Sequence, residues 1–96
     1  MIHTLLSALA EPTRLSAVRL LSDGNEHCVC EMMRALDATQ SRMSRHMQTL
    51  KLAGLVIDRR DAQWVRYRLN PDLSPNIAAV LSAVLAVAAE PQRIAA

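Results

Sequence analysis

Two cysteines, Cys28 and Cys30, stand one residue apart in the stretch EHCVCEMM (26–33), and they are the only thiols in the chain. Thiolates are soft ligands that favour thiophilic ions, and a helix start lowers thiol pKa through its dipole. A pair at this spacing therefore suggests capture of one thiophilic species between two sulfurs. On a regular helix, positions i and i+2 point about 200° apart and cannot grip one atom. Either the site begins before the helix does, or binding unwinds the first helical turn. In a cytosolic chain the pair is expected to be reduced, reactive or metal-binding, because a bridge across one intervening residue would be strained. The plainer alternative reads both cysteines as small buried hydrophobes. A closed zinc or cadmium site wants about four nitrogen or sulfur ligands, and only Cys28, Cys30 and the adjacent His27 are at hand.

The elements that must position this pair follow from composition and period. A chain of 96 residues is one domain, and 51% hydrophobic residues suffice for a core. With no Phe, one Trp and one Tyr, that core must be Leu, Val, Met and Ala. So much aliphatic surface in so short a chain suggests a core completed by a second subunit. Ile2, Leu5, Leu6 and Leu9 follow helical spacing. Pro12 suits the first turn of a second helix, with Leu15, Val18 and Leu21 inward and Arg14 and Arg19 outward. A turn at SDGN (22–25) precedes a third helix from near Cys28 to Leu36. DATQ (37–40) breaks the chain, with Asp37 or Thr39 placed to cap a fourth helix from about Gln40 to Ala53, and Gly54 ends it. Then the period changes: LVIDRRDAQWVRYRL (55–69) reads as a β-hairpin turning at Asp61-Ala62-Gln63. Ser74-Pro75 opens a last helix, apolar all round from Ile77 to Ala89 except Ser82, as expected of a helix buried on more than one side. That run is too short to span a bilayer, and MIHTLLSALAEPTR (1–14) has no basic leader, so the chain is expected in the cytoplasm and off the membrane.

The net charge of +2 conceals a strong polarity. Between Ala38 and Leu69 stand seven basic residues (Arg42, Arg45, Lys51, Arg59, Arg60, Arg66, Arg68) against Asp58 and Asp61, a net +5. The fourth helix presents Gln40, Ser41, Arg42, Ser44, Arg45 and Gln48 away from its Met43, Met47 and Leu50 face. Such side chains hydrogen-bond base edges and phosphates. A short helix, a tight break, a polar helix and a basic hairpin make a winged helix-turn-helix arrangement, mainly α with a β-hairpin wing. An ordinary solvated arginine face is the alternative.

The chain resembles the ArsR/SmtB family of winged-helix, metal-responsive repressors. The matching pieces are LAEPTRLSAVRLL (9–21), CVCEMM (28–33), SRMSRHMQTLKLAGLV (41–56) and WVRYRLNP (64–71), in order over most of the chain. Its arsenic-responsive branch, in which CVC opens the helix before the recognition helix, is the nearest likeness. The resemblance implies a single homodimeric domain over 1–96. Its helix-turn-helix would lie at about 28–53, its wing at about 55–69 and its dimerisation helices at about 2–10 and 75–89. Cys28 and Cys30 match the thiolates that take As(III) or Sb(III) as inducer, with His27 a candidate third ligand. Gln40, Ser41, Arg42, Ser44, Arg45, His46, Gln48, Arg59, Arg60 and Arg66 match the surface for double-stranded operator DNA. Leu5, Leu6, Leu9, Ile77, Val80, Leu81, Val84 and Leu85 match the dimer contacts, and no cofactor is required. The sequence departs from the pattern at Met33, where some members carry a third cysteine, and at His27, where an apolar residue is usual. The last helix lacks the Asp and His ligands of zinc-sensing members. Competing readings are the same fold sensing methylarsenite, cadmium, lead or an oxidant, a small thiol enzyme with Cys28 as nucleophile, and a dimerisation module that binds no DNA.

Overall fold

The computed structural model describes residues 1–91. The order is α1 (Ile2–Ala10), α2 (Pro12–Leu20), a 3-10 turn (Leu21–Asp23), β1 (His27–Cys28), α3 (Val29–Leu36), α4 (Gln40–Leu52), β2 (Val56–Asp61), β3 (Trp64–Leu69) and α5 (Pro75–Ala88). Local chemistry explains most boundaries. Glu11 caps α2 by accepting the Arg14 backbone N–H at 2.8 Å, and Pro12 occupies the first turn, where its missing N–H costs nothing. Gly24 and Gly54 take the positive φ values, 81° and 79°, at which the chain leaves its helical segments.

The break between α3 and α4 divides its work between two residues. Thr39 Oγ1 caps α4 by accepting the Arg42 backbone N–H at 3.3 Å. Asp37 instead takes the left-handed conformation, φ 51°, that ends α3. Of the two residues expected as caps, Thr39 is the one used.

Buried side chains from every helix and from the sheet form one core. Leu21, Met32, Met43, Met47, Leu50 and Leu55 are wholly inaccessible, and Val18 and Ala17 of α2 lie among them. Met43, Met47 and Leu50 recur at helical spacing on α4, so the apolar stripe that holds α4 down leaves Gln40, Ser41, Arg42, Arg45 and Gln48 on the exposed side.

Two features differ from expectation. The hairpin belongs to a three-stranded antiparallel sheet in the order β1-β3-β2, because His27 and Cys28 pair with Tyr67 and Arg66. A two-residue strand is too short to show a period. Arg14 is not outward: its guanidinium donates to the Ala8 carbonyl at 2.8 Å and the Ser7 carbonyl at 3.2 Å, closing the free C-terminal end of α1. The last helix, α5, buries only Leu81 within the protomer, and ends at Ala88.

Candidate functional site

The two sulfurs meet at the junction of β1 and α3. Cys28 has extended backbone, φ −68° and ψ 143°, and is the N-cap of α3, while Cys30 lies in the first turn. Because Cys28 precedes the helix, the 200° divergence does not apply. The site begins before the helix, the first of the two alternatives, and no turn need unwind. The Cα atoms are 5.2 Å apart, within the ordinary range for bridged cysteines, and the structure joins the pair as a disulfide. The extended residue at the cap brings together side chains that a continuous helix would hold apart. Cys28 Sγ also accepts the Cys30 backbone N–H at 3.3 Å, satisfying one of the free donors of the helix start. Cys28 is buried and Cys30 half-buried.

His27 is not aimed at the sulfurs. Its Nδ1 meets Glu31 Oε2 at 2.7 Å and its Nε2 meets Asp23 Oδ2 at 2.8 Å. Ionised carboxylates only accept hydrogen bonds, so both contacts at once favour the imidazolium form of the ring. Burial works against that charge, but the hydrogen bonds to Glu31 and Asp23 more than offset it and raise the pKa above 6.5. The ring staples the 3-10 turn to the first turn of α3 across the thiol pair, and its candidacy as third ligand falls because both nitrogens are occupied. Among the described residues, no group of three His, Cys, Asp or Glu could hold a metal ion. A raised folded pKa stabilises the fold fully below the unfolded value near 6.5, and that contribution fades as pH rises through the folded pKa. Thermal melts of His27→Gln beside wild type should therefore show the widest gap near pH 6 and a narrower one at pH 8.5. A gap independent of pH would mean that the ring does not act through its charge.

The surface expected to meet nucleic acid is partly committed to internal contacts. Gln40, Ser41, Arg42, Arg45 and Gln48 are exposed along α4, and Ser44 is half-buried beside them. His46 turns inward, accepting from the Arg14 guanidinium at 3.3 Å and lying 3.7 Å from Glu11. It therefore ties α4 to α2, in contrast to the place on the DNA surface that the resemblance implied for it. On the hairpin, Arg60 is exposed. Arg59 forms a two-pronged ion pair with Glu26 at 2.7 and 2.8 Å, and Arg66 pairs with Asp61 at 2.8 Å. Hydrogen bonding to Arg59 holds the Glu26 carboxyl below its usual range, and Arg66 does the same for Asp61.

The apolar residues expected at a subunit contact also divide. Leu5, Leu9 and Leu81 are buried within the protomer, because α1 and α5 need an inward stripe to attach at all, so these three are core. Leu6 remains 49% exposed, and Ile77, Val80, Val84 and Leu85 are half-buried. Ile2, 49% exposed, and Val87, 65% exposed, extend this uncovered surface, and Leu15, Ala83, Val84, Val87 and Ala88 line an apolar groove.

Residues 11–58, which contain the thiol pair and all of α2, α3 and α4, match the family described as bacterial regulatory protein, arsR family. The chain belongs to the arsR family. It is 46% identical over 69 residues to the arsenical resistance operon repressor of Escherichia coli strain K12, a match covering 72% of this chain and 59% of the relative. It is 47% identical over 66 residues to the arsenic resistance transcriptional regulator ArsR2 of Pseudomonas putida, covering 69% and 57%. The arsR-family chain thus spans about three fifths of the length of these curated relatives. Among solved structures it is similar to HlyU from Vibrio cholerae, with a TM-score of 0.78 and 32% identity over 93% of this chain and 92% of that one. A homodimeric winged helix-turn-helix DNA-binding domain from Mycobacterium bovis gives a TM-score of 0.75 with 29% identity, covering 91% and 77%. The fold of this arsR-family chain is therefore the winged helix-turn-helix. Sequence reasoning missed Glu26 as the wing's anchor. The signal was available only as an acid two residues before the first cysteine, and 33 residues separate it from Arg59.

Proposed function

We propose that this chain is a transcriptional repressor of an arsenic-resistance operon. It binds operator DNA as a homodimer and leaves it when As(III) or Sb(III) bonds to Cys28 and Cys30. The observation that carries the reading is the placement of the two sulfurs. One belongs to β1 and the other to the first turn of α3, and α3 packs directly on α4. Two thiols displace two hydroxides from As(OH)3 as water, leaving one arsenic atom bonded to both sulfurs with no change of oxidation state. Fixing both sulfurs to one atom fixes the angle between β1 and α3, and α3 is the support on which the DNA-facing helix rests. The disulfide form offers no thiolate, so capture requires the reduced chain. Relatives described as arsenical resistance operon repressors support the inducer class.

Homodimerisation would cover Ile2, Leu6, Val84 and Val87, whose exposure is otherwise unexplained, and would set two α4 helices for half-sites about one DNA turn apart. No helix among the described residues is long and apolar enough to cross a membrane, and the proposed work on DNA is cytoplasmic and involves no catalytic step. A second reading rests on the Cys28–Cys30 bridge itself: the same fold responding to an oxidant through that bond.

The test is fluorescence anisotropy of a labelled fragment of the chain's own upstream DNA, bound by reduced protein and titrated with arsenite. Release at low stoichiometry is the expected result. Release by peroxide with no response to arsenite would replace the arsenic reading with the oxidant one. In the same assay Arg42→Ala should weaken binding. A loss of about 1–3 kcal/mol confined to one sequence marks a base contact, and a salt slope shallower by about one marks a phosphate contact. Unchanged affinity and slope would remove Arg42 from the interface.

A further inference from the structure

One row of the sheet runs from the sulfur site to the wing. Cys28 lies opposite Arg66 on β3, and Arg66 lies opposite Arg59 on β2. Two arginines facing each other across strands repel, and each is held by its own carboxylate, Arg66 by Asp61 and Arg59 by Glu26. The two acids differ in origin. Asp61 belongs to the hairpin itself. Glu26 lies outside it, two residues before Cys28 and next to β1, so its fork on Arg59 spans the sheet from one edge strand to the other.

The geometry points to Glu26 as a positioning residue that reports the state of the thiol pair to the wing. The inference rests on the reading of Cys28 and Cys30 as the inducer site, and adds a second route from that site beside the α3–α4 contact. His27 pairs with Tyr67 and Cys28 with Arg66, so β1 cannot move relative to α3 without shifting its register contacts on β3. Glu26 moves with β1. A forked carboxylate–guanidinium pair tolerates little misalignment, because its two hydrogen bonds require coplanar groups. Arg59 is thereby oriented in one state of the sulfurs and released in the other. A ligand shifts an equilibrium only through contacts that differ between two states, and this ion pair supplies such a difference at the DNA-facing hairpin.

The experiment compares the full reduced chain with Glu26→Gln, Arg59→Gln and Arg59→Lys. The readouts are operator affinity with and without arsenite, arsenite capture followed by loss of titratable thiols, and thermal melting. The ion pair is exposed, so all variants are expected to fold as wild type. Glu26→Gln should still capture arsenite at the sulfurs. The ratio of affinities without and with arsenite, about 5–150 for ordinary allosteric coupling, should fall at least about threefold. Arg59→Gln should lower the ratio similarly, and the double variant should lower it no further than either single change. Arg59→Lys, which keeps the charge and loses the fork, should fall between. An unchanged ratio in Glu26→Gln overturns the inference, and so does loss of arsenite capture, since Glu26 would then act at the sulfurs themselves. If wild type captures no arsenite or shows no release, the proposed function fails first, and that outcome is distinct from a Glu26→Gln chain that responds as fully as wild type.

Discussion

Replacing both cysteines by serine is expected to give a protein that binds operator DNA like wild type and ignores arsenite. The structural cost is small. Cys28 is the N-cap of α3 and its sulfur accepts the Cys30 backbone N–H, a position at which serine is among the preferred residues. Cys30 is half-buried and takes the smaller hydroxyl without leaving a sealed cavity. Thermal melting of the double variant under reducing conditions should therefore lie close to wild type. The functional effect is large, because serine hydroxyls form no stable bond to arsenic at neutral pH and the affinity ratio of about 5–150 should collapse to near one. Each single replacement should also abolish release, since one sulfur cannot fix β1 against α3. Operator release by arsenite from the double variant would place the inducer site elsewhere in the chain.

Met47→Ala is expected to cost about 2–5 kcal/mol of stability, the usual range for truncating a fully buried Met. Met47 is wholly inaccessible, as are Met43 and Leu50 on the same stripe of α4 and Met32 of α3. A domain of this size has about 5–15 kcal/mol in total, so the single change removes a large share. Urea titration at fixed protein concentration is the measurement. Fixed concentration matters because a dimer's apparent stability depends on it. Operator affinity should also fall, because the same stripe seats the helix that presents Arg42 and Arg45. Met33→Ala is the control: Met33 is only half-buried at the edge of the core, and its loss should be clearly smaller. A cost below about 1 kcal/mol at Met47 would mean that the α3–α4 contact repacks around the gap, which softer Met-rich cores do more readily than Leu-rich ones. The proposed transmission from α3 to α4 would then lack a rigid support.

The proposed inducer capture depends on a boundary. A CxC pair wholly inside a helix would have diverging sulfurs, and one wholly in a strand would put both on the same face but far from α3. Here the first cysteine closes β1 and the second lies in the first turn of α3, so one atom bound to both would report on two elements at once. His27 strengthens that boundary from the side, holding the turn before β1 and the first turn of α3 through Asp23 and Glu31.

By itself the amino-acid sequence determined the local elements and their polarity. The methionine and leucine period of α4, the Gly54 stop, the change to strand period after it and the clustering of arginines between residues 38 and 69 are local signals, each readable within a few residues. They were enough for the winged helix-turn-helix reading and for the thiol pair as the site of interest. Tertiary structure decided which polar groups remain free. Arg14 and His46, 32 residues apart, meet because α2 packs on α4, and this takes His46 off the outward face. Glu26 and Arg59 meet because a two-residue strand joins the hairpin's edge. Leu5, Leu9 and Leu81 became core, and Ile2 and Val87 stayed exposed, through the way α1 and α5 lean on the rest. The physical reason is the same in each case: period and capping act between near neighbours, whereas burial and ion pairing depend on which distant elements come to lie side by side.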